Sequence, residues 1–456
     1  MTDLDCVVHN AAELVVGPAL GSSQRDVSGG VGTMPSEEQH PGANGPPSDP
    51  DIVLHRIEDG AVAVADGAVV GIGQTDDLVR TYPPTAARNQ IDASGKTVIP
   101  GFVDSHTHAV FAGDRSDEFA DKLRGKSYQA IMDEGGGILR TVRATRQASE
   151  ATLLADLLDR LDRMLASGAT TVEVKSGYGL DPETEGRILD VVCSADEVHP
   201  VRVVPTFMGA HAVPAEFESA HTYMDHVLDE QLPEASKRAV FCDVFCESGV
   251  FSVEDSRRLL EQAADAGLVP KVHAEEFEHF GGSQLAADVD AASADHLLQA
   301  TDEDAVALSS ADVVPTLLPG TAFALGTEYA DPRRFLHAGS EIAVASDFNP
   351  NCYASGMSFA TTLASVGMGL SPAESIRACS YGGGLALGAN DDRVPDSVVP
   401  PGTGTLQTGA PGDMLVLDAP SFAHVPYRFD EPTVESAIVG GEIVYTHTSD
   451  VRRTRP

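Results

Sequence analysis

Basic residues are scarce in this chain of 456 residues. Only 30 lysines and arginines stand against 69 aspartates and glutamates, which gives a formal net charge of −39. Nucleic acids and anionic membranes are polyanions, so we expect the chain to bind neither of them. Since 42% of the residues are hydrophobic, we also expect a folded protein rather than a disordered acidic one.

An acidic surface of this kind is typical of halophilic proteins, which use it to stay soluble. Mutual repulsion of the carboxylates would destabilise the fold in dilute buffer, and dissolved salt screens that repulsion. The composition therefore predicts a protein that requires molar salt for full stability and activity.

Cysteine is also rare, with six residues in the whole chain: Cys6, Cys193, Cys242, Cys246, Cys352 and Cys379. So few cysteines, with no Cys-x-x-Cys pair, do not suggest a secreted disulfide framework. The first residues, Met-Thr-Asp-Leu-Asp-Cys, show no basic region followed by an apolar run. No stretch approaches the roughly 20 apolar residues of a membrane span. We expect a soluble, cytoplasmic protein.

Both ends of the chain carry short strand patterns. Residues 61–73 are apolar on either side of Asp66-Gly67, which is typical of a β-hairpin. Similar patterns return near the C-terminus. We therefore predict a small β-sandwich domain built from residues 1–97 and 403–456. Residues 17–50, rich in Gly, Ser, Pro and Glu, are predicted to form a flexible surface insertion within it.

The middle of the chain, residues 98–402, alternates strand patterns with helical ones such as 150–165, 253–266 and 372–385. Eight apolar stretches fit strands, and eight is the number that a TIM-like (β/α)₈ barrel needs. The predicted fold class is therefore α/β. The strand candidates are 98–105, 170–175, 201–207, 242–246, 270–274, 291–295, 313–317 and 342–347.

Four ligand-type side chains stand where predicted barrel strands end. His106 and His108 follow the first strand, His273 ends the fifth and Asp347 ends the eighth. Strand side chains alternate with period two, so both imidazoles of the His-x-His pair face one side. Three imidazoles and one carboxylate suit one Zn²⁺ or one iron ion, Fe²⁺ or Fe³⁺, per chain. Such an ion lowers the pKa of a bound water to about 7, so we expect hydrolysis.

This arrangement resembles the amidohydrolase superfamily, whose site residues follow strands one, five, six and eight of a barrel. His296 stands at the strand-six place. Binuclear members carry a carboxylated lysine after strand four, but here that strand ends at Cys246-Glu247, and Lys175 belongs to strand two. The resemblance implies a mononuclear site, with His296 free to bind substrate and Asp347 taking part in catalysis. A second ion held by Glu247 stays an alternative.

Longer motifs are similar to those of the imidazolonepropionase family, and they occur in the family's order. They are His-Thr-His-Ala-Val-Phe-Ala-Gly-Asp-Arg (106–115), Gly-Gly-Gly-Ile (135–138), Glu-Val-Lys-Ser-Gly-Tyr-Gly-Leu (173–180), Phe-Met-Gly-Ala-His (207–211), Val-Phe-Cys-Glu (244–247), His-Ala-Glu-Glu (273–276) and Ser-Asp-Phe-Asn-Pro (346–350). The resemblance implies hydrolysis of the cyclic amide of 4-imidazolone-5-propanoate to N-formimino-L-glutamate, a step of histidine degradation, by a metal-bound hydroxide. It also implies a homodimer.

The resemblance also assigns roles to individual residues. Glu276 would carry a proton from water to the departing ring nitrogen. His296 would stabilise the oxyanion, together with the metal. Arg115 would bind the propanoate tail, because its planar guanidinium matches a carboxylate bidentately. Tyr178 and His211 would contact the tail or the ring.

The segment after Asp347 departs from the family. Asn349 lies two residues beyond that ligand, so we expect it to face the same pocket. The family often continues with glycine and a small hydroxyl residue, where this chain has Asn351-Cys352. Asparagine tolerates turn conformations, so backbone contacts of Asn351 to the product are still expected. Cys352 is interpreted as part of the pocket lining, not as a nucleophile.

Two other functions stay open from the sequence. One is a different cyclic-amide hydrolase or an aromatic deaminase of the same superfamily; Arg115, Tyr178 and His211 together argue against a deaminase, which needs no carboxylate clamp. The other is a non-catalytic barrel kept as a binding or structural protein. Such barrels typically lose their metal ligands, whereas His106, His108, His273 and Asp347 are all present.

Overall fold

The computed structural model describes residues 3–19, 53–126, 130–131 and 134–447. These residues form two β-sheets, one from both ends of the chain and one from its middle. Most of the predicted insertion at 17–50 lies outside the described residues, so its flexibility stays a prediction.

The strands are β1 (Leu4–Pro18), β2 (Leu54–Ala65), β3 (Ala68–Gln74), β4 (Ala87–Asp92), β5 (Thr97–Pro100), β6 (Phe102–Asp104), β7 (Ala169–Lys175), β8 (Arg202–Ala210), β9 (Phe241–Cys246), β10 (Val269–Ala274), β11 (Ser293–His296), β12 (Val314–Leu317), β13 (Ala343–Val344), β14 (Met414–Leu417), β15 (Val434–Val439) and β16 (Glu442–Thr446). The α-helices are α1 (Thr75–Thr81), α2 (Ser116–Leu123), α3 (Ile138–Gln147), α4 (Glu150–Ala166), α5 (Pro182–Val198), α6 (Ala220–His226), α7 (Leu232–Ala235), α8 (Val253–Asp265), α9 (Gly282–Asp288), α10 (Asp302–Ser310), α11 (Pro319–Leu325), α12 (Pro332–Ala338), α13 (Met357–Val366), α14 (Pro372–Arg377), α15 (Gly383–Ala386) and α16 (His424–Tyr427).

The terminal sheet combines β1–β5 with β14–β16, in the order β16-β15-β14-β5-β1-β2-β3, and β4 pairs with β1. It encloses its own hydrophobic core, which includes Val8, Leu14 and Met414. The hairpin between β2 and β3 is confirmed, because Asp66 and Gly67 both take positive φ angles, 50° and 76°. The prediction of a small β domain made from both ends of the chain is thereby confirmed. Its boundaries at residues 97 and 403 stay a prediction.

Strands β6–β13 are parallel, and each pairs with its neighbours in chain order, as a (β/α)₈ barrel requires. The predicted barrel is confirmed, with a strand in each of the eight stretches. The helical predictions also agree with the structure. Helix α4 is capped by the Ser149 side chain, and it buries Leu153, Leu157 and Leu161, which recur at the helical spacing of four. The third predicted helix, at 372–385, is divided into α14 and α15 by a π-helical turn.

The first predicted barrel strand, 98–105, is divided between the two sheets. Its first part, β5, pairs antiparallel with β14 in the terminal sheet, and only β6 enters the barrel. Gly101 separates the two parts. A Cβ atom built on Gly101 would lie 2.1 Å from the Thr170 hydroxyl oxygen, so only glycine allows the chain to pass there. The prediction of one continuous strand was wrong at this position.

The barrel closes where the end of its last strand meets the end of its first. The Asp347 amide donates to the His106 carbonyl at 3.0 Å, and the His108 amide donates to the Phe348 carbonyl at 2.9 Å. Ser346 donates both its amide and its hydroxyl to the buried Asp104 carboxylate, at 2.9 and 2.6 Å. We call these contacts the barrel seam. No helix within the described ranges has the length and apolar character to span a membrane.

Candidate metal centre and active site

Four predicted metal ligands converge at the carboxyl end of the barrel. His106 Nε2 and His108 Nε2 lie 3.5 and 3.6 Å from Asp347 Oδ1, and His273 Nε2 lies 3.4 Å from His108 Nε2. All four side chains are buried. Parallel strands end at the same face of the barrel, which explains why residues about 240 positions apart in the chain meet.

Carboxylates behind the cluster fix which nitrogen of two imidazoles faces it. Asp295 Oδ2 lies 2.6 Å from His106 Nδ1, and Asp243 Oδ2 lies 3.0 Å from His273 Nδ1. The Nε2 lone pair of each ring is therefore directed at the centre. Within the described ranges, His106 Nε2 is buried and has no hydrogen-bond partner.

The chemistry of this donor set fits a divalent transition-metal ion. Burial lowers the pKa of His106 and of His108 well below the usual range, which keeps both imidazoles neutral and able to donate a lone pair. His108 Nε2 and His273 Nε2 lie 3.4 Å apart, close enough for both to bind one ion or for one ring to donate an N–H to the other. Three nitrogen donors and one carboxylate oxygen meet the preferences of zinc and of iron equally.

Asp347 is held in a strained backbone conformation. Its φ angle is 50°, which is unusual for a residue other than glycine, and the barrel seam fixes its amide. Thr321 donates its hydroxyl to Oδ2, which leaves Oδ1 facing His106 and His108. Burial raises the pKa of the Asp347 carboxyl to about 6. A positive ion at the centre would favour the carboxylate form.

Glu276 and His296 lie beside this cluster. His296 Nε2 is 3.7 Å from Glu276 Oε2. A ring nitrogen of His296 also lies within 4.8 Å of ring nitrogens of His106 and His273, so this imidazole faces the same centre. Burial, together with the nearby Asp347 carboxylate, raises the pKa of Glu276 well above its usual value. Glu276 therefore holds a proton more readily than an exposed glutamate does.

A cavity of about 660 Å³ opens above the cluster. Its walls include nearly all of the predicted substrate residues, namely Arg115, Tyr178, His211, Glu276, Asn349 and Asn351. Arg115 is buried, and its Nε donates to Glu118 Oε2 at 2.8 Å. Within the described ranges the terminal nitrogens of Arg115 make no hydrogen bond, so they are free to bind an anion in the cavity.

Comparison with known proteins identifies the family of this barrel. The profile described as the amidohydrolase family matches residues 97–444. The chain belongs to the amidohydrolase family. A protein named imidazolonepropionase from Haloarcula marismortui is 54% identical over 460 residues, which cover 100% of both chains. Another of that name, from Halobacterium salinarum, is 52% identical and covers 97% of this chain and 98% of the relative.

Solved structures of amidohydrolase fold are similar at low identity. An adenosine deaminase from Xanthomonas campestris, crystallised with bound zinc, has a TM-score of 0.67 at 15% identity; the match covers 96% of this chain and 92% of that one. Guanine deaminase of E. coli has a TM-score of 0.65 at 15% identity, covering 98% and 100%. At this identity the likeness shows the fold alone.

The structure places Cys352 outside the cavity of this amidohydrolase. Its thiol lies against the Ser346 carbonyl at 3.9 Å, and the residue lines a neighbouring hollow. Burial raises the pKa of the Cys352 thiol, which fits the prediction that it is not a nucleophile. The Asn349 side chain holds this loop together, because its oxygen accepts from the amides of Asn351 and Cys352 at 2.8 and 2.9 Å. We expected Cys352 to line the substrate pocket, and the geometry does not support that contact.

Glu247 has both of its carboxylate oxygens occupied by backbone amides. Oε1 accepts from Ser248 and Oε2 from Phe277, each at 2.9 Å. Within the described ranges Glu247 takes part in none of the residue groups that could hold an ion. The geometry therefore gives no support to Glu247 as a ligand of a second ion.

Sequence reasoning missed three residues that shape the cavity. Glu185 is buried and accepts hydrogen bonds from the amides of Gly177, Gly179 and Leu180, which fixes the loop that carries Tyr178. Arg160 donates to two carbonyls directly after the His-x-His motif, and its guanidinium lies 3.6 Å from the centre of the Phe111 ring. Lys122 donates to the Asn351 side chain at 2.8 Å. All three lie within helices. A single charged residue in a helix normally indicates a solvent-exposed face, so no signal in the sequence indicated these contacts.

The ring of His211 stacks on the ring of His108, with centroids 4.8 Å apart and an interplanar angle of 22°. Its Nδ1 lies 3.2 Å from the Gly177 carbonyl oxygen, which favours a proton on that nitrogen. Burial and the nearby His273 lower the pKa of His211 to about 3. His211 therefore presents a neutral ring edge to the cavity, beside Tyr178 at a centroid distance of 5.3 Å.

Proposed function

We propose that this amidohydrolase opens the cyclic amide of 4-imidazolone-5-propanoate to give N-formimino-L-glutamate in histidine degradation. The observation that carries the proposal is one cavity that holds both a metal-type cluster and a buried arginine with free terminal nitrogens. Identity of 54% over the full length to a protein named imidazolonepropionase supports the same reaction.

The proposed cofactor is one Zn²⁺ or iron ion per chain, held by His106, His108, His273 and Asp347. When bound, such an ion supplies Lewis acidity, which acidifies water near neutral pH and polarises a carbonyl group. The residues around it determine where the substrate lies and where protons go.

Arg115 would bind the propanoate carboxylate. Its Nε is already paired with Glu118, which fixes the plane of the guanidinium while the other nitrogens stay available. The imidazolone ring then lies between this clamp and the metal cluster, with Tyr178 and His211 beside it. Asn349 and Asn351 form the neighbouring wall.

Glu276 would take a proton from the attacking water and deliver it to the ring nitrogen that leaves. Its raised pKa makes its carboxylate a stronger base than that of an exposed glutamate, which favours the first of these transfers. His296 is neutral, because burial lowers its pKa well below the usual range. An N–H of His296 can therefore stabilise the negative charge that develops on the carbonyl oxygen.

We also propose that the protein acts in the cytoplasm, as a homodimer, and in molar salt. The net charge of −39 supports the salt requirement, since the repulsion among the carboxylates falls when salt screens them.

The test is a turnover assay in about molar KCl, which screens the acidic surface. Loss of imidazolonepropanoate absorbance is followed, and the metal content of the same sample is measured. We expect turnover with about one ion per chain, as a single set of four ligands implies. Metal binding without turnover would indicate that the substrate is another cyclic amide, such as a hydantoin or a dihydropyrimidine. Ammonia release from a purine or pyrimidine would indicate a deaminase instead.

A further inference from the structure

Five charged side chains fill the barrel interior beneath the metal cluster, and none has any exposure to solvent. They are Glu173, Lys175, Asp243, Lys271 and Asp295. A buried charge is costly to remove from water unless other charges and hydrogen bonds compensate it. We call these five residues the buried charge network.

The two lysines connect the three carboxylates. Lys175 Nζ lies 2.7 Å from Asp243 Oδ2, 2.9 Å from Glu173 Oε2 and 3.6 Å from Asp295 Oδ2. Lys271 Nζ lies 3.0 Å from Glu173 Oε1 and donates to the Ser105 carbonyl at 2.9 Å. It is 3.9 Å from Asp295 Oδ2 and thus outside hydrogen-bond distance.

Lys175 shares a carboxylate oxygen with the metal-facing His273, since Asp243 Oδ2 lies 2.7 Å from Lys175 Nζ and 3.0 Å from His273 Nδ1. Asp295 Oδ2 lies 2.6 Å from His106 Nδ1, but at 3.6 and 3.9 Å it is beyond hydrogen-bond distance of both Lys175 Nζ and Lys271 Nζ. The other oxygen of each carboxylate is also occupied. Asp243 Oδ1 accepts from the amides of Val244 and His273, and Asp295 Oδ1 accepts from the Ser293 hydroxyl. Both carboxylates are therefore fixed in orientation as well as in place.

We propose that Lys175 is a positioning residue of the metal centre. Its ammonium group holds Asp243, and through that carboxylate it sets the ring orientation of His273. Lys271 supplies compensating charge to Glu173 and, within the described ranges, makes no contact with Asp243. The inference rests on the proposed function in one respect only, namely that an ion binds at this cluster.

Substitution of Lys175 should weaken metal binding more than substitution of Lys271. For Lys175→Met we expect zinc affinity, measured by competition with a chelator, to fall by up to about 10-fold, because losing the direct partner of a ligand histidine typically costs about 10- to 100-fold and Lys175 acts one contact further out. The visible absorption bands of the Co²⁺-substituted protein should shift as well, because the ring geometry changes. Lys271→Met removes an equal buried charge but leaves the contacts of Asp243 with Lys175 and His273 in place, so we expect a smaller loss of affinity.

A charge-balanced variant separates positioning from stability. Lys175→Met combined with Glu173→Gln removes one charge of each sign and leaves Asp243 and Asp295 intact. We expect this double variant to recover melting temperature relative to Lys175→Met while its zinc affinity stays low. If Lys175→Met fails to fold, the zinc affinity of the double variant is compared directly with that of the wild type.

Recovery of zinc affinity together with stability would overturn the inference, because Lys175 would then act through charge balance alone. Unchanged zinc affinity in Lys175→Met would overturn it too. If the wild-type protein bound neither zinc nor iron, the proposed function would fail before this inference was reached, so the two failures are distinguishable.

Discussion

Removal of the Arg115 side chain should weaken substrate binding without releasing the metal. In Arg115→Met the aliphatic part of the side chain remains, so the packing near Glu118 is largely kept. What is lost is a charge-assisted, two-pronged contact to the substrate carboxylate in a buried setting; the arginine side chain is only 6% exposed.

The size of the effect follows from that contact. A hydrogen bond to a charged group contributes about 1.5–3 kcal/mol, and two such bonds act here on one carboxylate. Taking about 3 kcal/mol as the lower end for the pair, kcat/KM should fall about 150-fold. Most of the fall should appear in KM, since the propanoate tail is distant from the bond that breaks.

The assay compares two substrates and two variants. With imidazolonepropanoate, Arg115→Met should show the full loss; with its methyl ester, which has no carboxylate, wild type and variant should perform alike. Arg140→Met is the matched control, because Arg140 also lies near Glu118, at 3.5 Å, but its side chain is 40% exposed and does not line the cavity. An equal loss for the acid and the ester would refute the role of Arg115 as the carboxylate clamp.

Four further predictions concern the metal ligands, the proton carrier and the stability of the fold. Asp347→Ala should lose bound metal and activity together, because it removes one of the four ligands. Glu276→Gln should lower kcat about 10²- to 10⁴-fold at unchanged metal content. The melting temperature should rise between dilute buffer and about molar KCl, where screening is nearly complete. Although burial raises the pKa of Glu374, hydrogen bonds from Arg333 lower it to about 2 overall. The stabilisation by this pair should therefore be complete above the unfolded pKa of about 4.5 and decline as the pH falls toward 2.

Each of these has a result that contradicts it. Full metal occupancy in Asp347→Ala, measured by elemental analysis, would mean that a ligand is misassigned. A proportional rise of KM in Glu276→Gln would indicate substrate binding rather than proton transfer. Full activity and an unchanged melting temperature in dilute buffer would show that the protein does not require salt. For the pair Arg333 and Glu374, the melting temperatures of wild type and Glu374→Gln should converge at low pH. A difference that stays constant with pH would contradict the lowered pKa of Glu374.

The sequence was sufficient to predict the ligand cluster because its signals are local. His106 and His108 end one apolar strand, and Asp347 ends another, so strand-end geometry alone brings them together. The inserted barrel and the hairpin at Asp66-Gly67 were predictable for the same reason. Each depends on a pattern of a few neighbouring residues.

The network beneath the cluster could not be predicted in this way. Asp243 and Asp295 stand inside strands, and their partners His273 and His106 come from other strands whose register the sequence does not reveal. The break at Gly101 depends on contact with Thr170, 69 positions later. The position of Cys352 depends on the turn after Asp347, where the Asn349 side-chain oxygen accepts from the amides of Asn351 and Cys352.

The barrel seam has a consequence for the order in which the protein folds. Three of its residues, His106, His108 and Asp347, are proposed metal ligands, and they belong to two segments about 240 residues apart, so the proposed site forms only after the last strand has closed onto the first. Closing so long a loop is slow and entropically unfavourable. An ion bound at the barrel seam would hold the two segments together, and its removal should let the seam open more often. The amides of His108 and Asp347 would then exchange with deuterium faster in the chelated protein, while those in the middle of β7 would not.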